Sequence, residues 1–306
     1  MLQGDTLAPF LFIIMIDHVM RTAIDKLSIY DVDVGITIVP SKRGTARTGS
    51  IPAIVLSDLD FADDIVLCTG NIENNQKFLD AVEFCAADIG LFINRKKTEF
   101  IAVGRALLAC SVGLSVKEGS IKQVDDFKYL GSWIMNSKKD IGVRIGIAWS
   151  TIKKLNKVWK SQLERGFKIE IYNSLIQSVL LYSCETWSLT KTLEKQLNGA
   201  RNRLLRYALN ISWKEKLPNS IVFEGVTPIS EIVRSRRVRF AGHCLRAWDQ
   251  PVRHLVLWEG NGNKAKGTKF SSYPRILRED LMHLRIIDDE ELDAECIKDL
   301  ALARAF

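Results

Sequence analysis

The chain has 306 residues, of which 47% are hydrophobic and 26% charged, with 19 Gly and only 7 Pro. This is the profile of a globular protein of about two domains; it excludes a collagen-like chain and a largely disordered one. The balance of 43 Lys and Arg against 36 Asp and Glu gives a net charge of +7, which leans toward a polyanionic partner without requiring one.

The first predicted element is a helix from about Leu7 to Lys26, capped by Thr6 and with Pro9 in its first turn. Its apolar run Pro9–Ile16 is far shorter than the roughly 20 residues that a membrane-spanning helix needs. Asp5 stands where a signal peptide would carry positive charge, so the run is expected to be buried in a helix of a soluble intracellular protein, nuclear or cytoplasmic. Gly35–Val39 reads as a short strand, and Lys42–Ser50 as a polar loop. Ala53–Leu59 and Ile65–Thr69 read as strands joined through the turn FADD. Asn74–Ile89 has helical period, with Phe78, Ala81, Val82, Cys85 and Ala86 on one face and Gly90 as its stop. Thr98–Val103 and Phe127–Met135 read as further strands. The pattern then turns helical over about 141–164, 168–184, 190–210 and 229–247. A glycine-rich polar stretch at 260–272 reads as a linker before an acidic helix at about 288–304. The expected class is α+β: a mixed unit over 1–135, a helical unit over 136–258, and a linker with a last helix over 259–306.

Cys68, Cys85, Cys110, Cys184, Cys244 and Cys296 contain no CxxC pair, so neither a zinc ribbon nor a disulfide framework fits. They read as buried thiols in a reducing compartment. His243, Cys244 and His254 lack further ligands at workable spacing for zinc. Gly260–Gly267 lacks the ending of a phosphate-binding loop.

Charge is divided unevenly. Residues 144–258 hold 20 Lys and Arg against 8 Asp and Glu, a net of +12, leaving the rest of the chain at −5. This stretch also carries Trp149, Trp159, Trp187, Trp213, Trp248 and Trp258. Basic residues among aromatics suit phosphate contact and base stacking. Its densest clusters are Arg201, Arg203, Arg206 and Arg234, Arg236, Arg237, Arg239, the expected nucleic-acid backbone contacts. Any one of these can equally be a solvated helix residue.

Asp63 and Asp64 are adjacent carboxylates in the turn of a predicted hairpin, between Phe61-Ala62 and Ile65-Val66-Leu67. Neighbouring like charges repel, and a divalent cation relieves that by coordination; carboxylate oxygens are the donors that Mg²⁺ prefers. An exposed Asp-Asp turn satisfies the same two residues. Asp58 and Asp60 share a face of the preceding strand by alternation and receive no catalytic role.

Four motifs in order carry a family resemblance. LQGDTLAPFLF at 2–12 resembles the QGDPLSPxLF signature of reverse transcriptases, with Thr6 for the usual Pro and Ala8 for the usual Ser. DLDFADDIVL at 58–67 resembles their catalytic hairpin, GLFINRKKT at 90–98 their next motif, and FKYLG at 127–131 their primer grip. The FADD form, with LYSCETW at 181–187 and RRVRFAGHCLR at 236–246, resembles reverse transcriptases of non-LTR, LINE-type retrotransposons.

The resemblance implies RNA-templated DNA synthesis with two Mg²⁺, or Mn²⁺ in its place, on an RNA template and a DNA primer with deoxynucleotides. It implies Asp63 and Asp64 as catalytic metal ligands and Lys97 as a general acid or phosphate contact. It implies Gln3 and Gly4 against the incoming nucleotide and template, and Tyr129, Leu130 and Gly131 against the primer end. Residues 1–135 would be a partial palm and the helices beyond them a thumb. The family places another catalytic Asp and the fingers upstream of its QGD motif, and this chain begins two residues before Gln3. The chain is therefore expected to be the C-terminal part of such an enzyme and inactive alone. The alternative is a non-catalytic nucleic-acid-binding module that uses the basic helices.

Overall fold

The computed structural model describes residues 6–38, 53–103, 113–247, 251–258, 272–287 and 297. They fall into two compact units, one made of residues up to Met135 and one of residues from Asn136 onward. Helices with small two-stranded sheets make up the fold, compatible with the α+β class. None of the described helices is long and apolar enough to cross a membrane. Gln3, Gly4, the polar loop at 42–50 and the stretch 260–271 lie outside the described residues. So does the expected acidic helix, apart from Ile297.

The first unit opens with α1 (Ala8–Ile29). Pro9 sits in its first turn as expected, but Leu7, not Thr6, is the N-cap, and no side chain caps it. Ile16, Val19, Met20, Ala23 and Leu27 recur at three- and four-residue spacing and bury against α2 (Ile72–Asp88). The run Pro9–Ile16, expected to be buried, is not. Phe10 is 67% and Ile14 63% exposed, and only Ile16 of the run is buried. Burial begins at the third turn, where the helix reaches Phe78, Val82 and Cys85 of α2.

Between the helices lie β1 (Ile36–Ile38), β2 (Ile54–Leu56), β3 (Asp58–Phe61) and β4 (Asp64–Leu67), paired antiparallel as β1–β2 and β3–β4. Gly35, at φ +97°, lets the chain pass Val55; a Cβ there would come 2.6 Å from the Val55 Cγ1. Asn71 caps α2 by accepting from the Asn74 N–H at 2.8 Å.

The expected strand at 98–103 is paired only over β5 (Glu99–Phe100), which runs parallel to β8 (Lys122–Gln123). Between them lies the small hairpin β6 (Ser115–Val116) and β7 (Gly119–Ser120). Phe127–Met135, read as one strand, is a hairpin of β9 (Phe127–Tyr129) and β10 (Ser132–Ile134). Leu130 and Gly131 both take positive φ, 47° and 81°, which is the demand of a two-residue type I′ turn.

The second unit is helical. Asn136 caps α3 (Ser137–Lys154), and α4 (Asn156–Trp159) follows after a break at Leu155. Next come α5 (Arg165–Ile171), a π-helical stretch (Tyr172–Gln177), α6 (Ser178–Leu180), a 3₁₀ turn (Cys184–Thr186) and α7 (Lys191–Ala208). Then follow α8 (Asn219–Val222), α9 (Ile229–Arg246), α10 (Val252–Leu255) and α11 (Tyr273–His283). Ile152, Trp159, Tyr172, Ile176, Leu180, Leu204, Leu205 and Ile229 form its core. The buried Trp159 indole donates to the Ile152 carbonyl at 2.8 Å. A second cluster, of Val238, Cys244, Leu245, Leu277 and Leu281, joins α9 to α11. Helix α11 was not read from the sequence. Cys184 and Cys244 are buried free thiols, and burial pushes both above the usual thiol range.

Candidate catalytic hairpin and basic surface

The hairpin β3–β4 pairs Asp58 with Leu67, Leu59 with Val66, Asp60 with Ile65 and Phe61 with Asp64. The turn is therefore Ala62-Asp63, and Asp64 already belongs to β4. Ala62 takes φ 54°, while Asp63 is not among the positive-φ residues. One positive φ at the first turn position is the pattern of a type II′ turn, where Gly is the usual occupant. This tight turn presents Asp63 and Asp64 at the tip. Both are exposed, and among the described residues no hydrogen bond or ion pair engages either carboxylate.

Directly opposed residues share a face, so Asp58 and Asp60 stand on the side where Ile65 and Leu67 pack into the core with α1 and α2. Partial burial, Asp58 beside it and Asp17 of α1 push the Asp60 carboxyl up to about 6. The Asp58 carboxylate accepts from the Ser57 hydroxyl, and Asp17 pairs with Arg21 at 2.8 Å. Asp60 is the feature that sequence reading passed over. Alternation places it beside Asp58, but only packing shows that Ile65 and Leu67 of the same face reach the core while Asp60 stays exposed beside them.

Tyr129 comes to the same place. Its hydroxyl donates to the Leu59 carbonyl at 3.2 Å, tying the β9–β10 hairpin to β3. Burial, then Asp60 and Asp64, raise its phenol above the usual range. The structure thus brings Tyr129 to the carboxylate hairpin, with Leu130 and Gly131 forming the adjoining turn. Lys97 lies on an exposed turn whose Asn94 carbonyl accepts from the Lys97 and Thr98 amides at 3.0 Å each. Among the described residues, no hydrogen bond or ion pair engages the Lys97 ammonium.

Among the described residues, no group of three or more His, Cys, Asp or Glu is arranged to hold a metal ion. The two tip carboxylates are hard oxygen donors without partners among the described residues. That fits Mg²⁺, which takes one or two carboxylates and completes its octahedron with substrate phosphates and water.

The arginine clusters divide. Arg201 and Arg237 are each 3% exposed, which removes them from any phosphate-facing surface. Arg201 donates to the Thr227 carbonyl, and burial lowers its pKa. Arg237 pairs with Asp280 at 2.6 Å and donates to the Trp187 carbonyl at 3.1 Å. Arg234 reaches Asp280 at 3.5 Å and Glu194 at 3.7 Å. Arg236 donates to the Leu181 carbonyl, and Arg206 to the Leu217 carbonyl and to Asn219. Arg203 and Arg239 alone of the seven are exposed. Spacing could not separate these roles, because a guanidinium serves a buried carbonyl as readily as a phosphate. The LYSCETW segment joins the same network: the Trp187 indole donates to the fully buried Asp140 at 2.8 Å.

Residues 1–134 match the model of the family described as reverse transcriptase (RNA-dependent DNA polymerase). The chain is 25% identical over 207 residues to an uncharacterized transposon-derived protein of Caenorhabditis elegans, an alignment covering 63% of this chain and 73% of that protein. No solved structure matches. The family match lies over the unit that carries the hairpin, so that part of the chain is similar to reverse transcriptases.

Proposed function

We propose that the chain is the C-terminal part of an RNA-directed DNA polymerase of a non-LTR retrotransposon, with palm elements in its first unit and a thumb-like second unit. The observation that carries this reading is the pair of unpartnered carboxylates at the tip of a strained hairpin, inside the segment matched by the reverse-transcriptase family. Asp63 and Asp64 would hold Mg²⁺ or Mn²⁺. When bound, such ions activate a primer 3′-hydroxyl and stabilise the leaving pyrophosphate. The Tyr129 hydroxyl bond to β3 holds the β9–β10 turn beside the carboxylates, where a primer end would be gripped. Lys97 offers an unpaired ammonium to phosphate.

The exposed Lys153, Lys154, Lys157 and Lys160 of the second unit favour a second reading, a nucleic-acid-binding module without catalysis. Primer extension on a primed RNA template decides between them. The chain is assayed alone and joined to a reverse-transcriptase segment that supplies a third carboxylate and fingers. Incorporation is expected only from the joined form, and Asp63→Asn should abolish most of it. A joined enzyme indifferent to Asp63→Asn would remove the hairpin from the metal site. Terbium luminescence on the chain alone should show ion binding that Asp63→Asn with Asp64→Asn eliminates.

A further inference from the structure

The second unit carries a surface of cations that no carboxylate among the described residues neutralises. From Ile141 to Leu163 the sequence contains no Asp or Glu. Within that stretch Lys153, Lys154, Lys157 and Lys160 are all exposed, and none makes a hydrogen bond or ion pair through its side chain with the described residues. The helical path through α3 and α4 places them together. Ile152 and Trp159 are buried and Leu155 and Val158 partly so, which fixes the inward side; the four lysines fall on the other side, at spacings of three and four. The Tyr207 hydroxyl, bonded to Asn156 at 3.3 Å, and the Trp149–Tyr207 ring contact fasten this path to α7.

Neighbouring elements do not supply the missing negative charge. The π-helical stretch, α6 and α7 pack on α3, and their sequences hold one carboxylate among them, Glu194, which faces Arg234 at 3.7 Å. Helix α7 instead adds the exposed Lys191, Lys195 and Arg203. Favourable interaction with the C-terminal dipole of α3 accounts for Lys153 and Lys154 in its last turn, but not for Lys157 and Lys160 beyond it. Four unpaired like charges on one side repel, and a polyanion lying along them relieves that repulsion.

We infer that the Lys153, Lys154, Lys157 and Lys160 face is the phosphate-tracking surface of the second unit, and that its partner is the backbone of a nucleic-acid duplex. The inference rests on the reading of this unit as a nucleic-acid holder, and it moves the contact away from the arginine clusters. Those guanidinium groups are mostly taken up by carbonyls and carboxylates of the fold, whereas these ammonium groups have no partner among the described residues. Lysine contacts phosphate as a flexible point charge without reading bases, which suits a surface that accepts any sequence.

The test is fluorescence anisotropy of a short labelled DNA duplex and of an RNA–DNA hybrid with the full chain, titrated across several salt concentrations. The comparison is between the parent and the variant Lys153→Gln, Lys154→Gln, Lys157→Gln, Lys160→Gln. Each phosphate contact contributes about −0.9 to the log–log salt slope, so losing four should flatten it by about 3–4 and weaken all sequences alike. Circular dichroism should be unchanged, because all four side chains are exposed. Parent and variant binding with the same slope would overturn this assignment while leaving the nucleic-acid reading of the unit intact. No salt-dependent duplex binding by the parent would overturn both. Phosphatidylserine vesicles are the third arm; binding to them without binding to duplex would also overturn the inference.

Discussion

Asp60 shows how one residue can set a pH dependence. Its carboxyl is held up to about 6, against 3.8 ordinarily, by partial burial and by Asp58 and Asp17. A carboxyl raised on folding contributes stability below its unfolded value, and that contribution is lost as pH rises through the folded value. The first unit should therefore lose a contribution between about pH 4 and pH 6 through this group. Asp60→Asn removes the ionisation. It should stabilise the unit at about pH 8 and change little near pH 4, by below about 1 kcal/mol because water screens an exposed carboxylate. Urea denaturation of parent and variant at the two pH values measures this. A gain at low pH that vanished at high pH would contradict the assignment. At the same scale, the buried Arg201 and Arg237 explain why counting arginines overstated the phosphate-binding surface.

At the scale of elements, the stop of α2 is decided by backbone conformation. Gly90 sits at φ +78°; its N–H reaches the Ala87 carbonyl at 3.0 Å and the Leu91 N–H reaches that of Ala86 at 2.9 Å. Those two bonds are the Schellman pattern. A Cβ at Gly90 would meet nothing within 4 Å, so a substitution meets no steric obstacle beyond its own backbone. Gly90→Ala should then cost about 1 kcal/mol, the left-handed penalty of an L-residue, with no change in packing. Hydrogen exchange at the last turn of α2 and a urea midpoint measure it. A cost several times larger would mean that the loop beyond the helix depends on this turn as well. The same local chemistry fixes the β9–β10 hairpin, where Leu130-Gly131 imposes a reversal that alternation alone reads as continuous strand.

At the scale of the molecule, each unit has its own core, so each should respond separately to damage. Arg237→Ala leaves Asp280 buried with only Arg234, 3.5 Å away. Breaking one partner of a buried pair costs about 3–5 kcal/mol, and the remaining Arg234 places the expectation at the lower end. Arg237→Met with Asp280→Leu should cost less, since neither charge then stays buried. Of the 7 tryptophans only Trp133 precedes Asn136, so indole emission follows the second unit. Its unfolding midpoint should fall in Arg237→Ala while hydrogen exchange in α1 and α2 stays unchanged. Loss of protection in α1 would show that the units unfold as one.

The sequence by itself determined α3, α7 and α9 of the second unit, the glycine-stopped α2, and the FADD hairpin with its neighbouring motifs. Each of these is written in local terms: a period, a cap, a turn residue. It also determined the excess of positive charge after residue 144, because charge is additive along a chain. Only the tertiary structure decided which cations are available, since burial depends on what packs over a side chain and not on its neighbours in sequence. Thus Arg237 is a core residue paired across α9 and α11, Lys157 is open to solvent, and Asp60 stands on the face of Ile65 and Leu67 while staying exposed. Tertiary contacts likewise decided that Tyr129 sits against β3, seventy residues away along the chain, because one hydroxyl bond and two short hairpins bring them together.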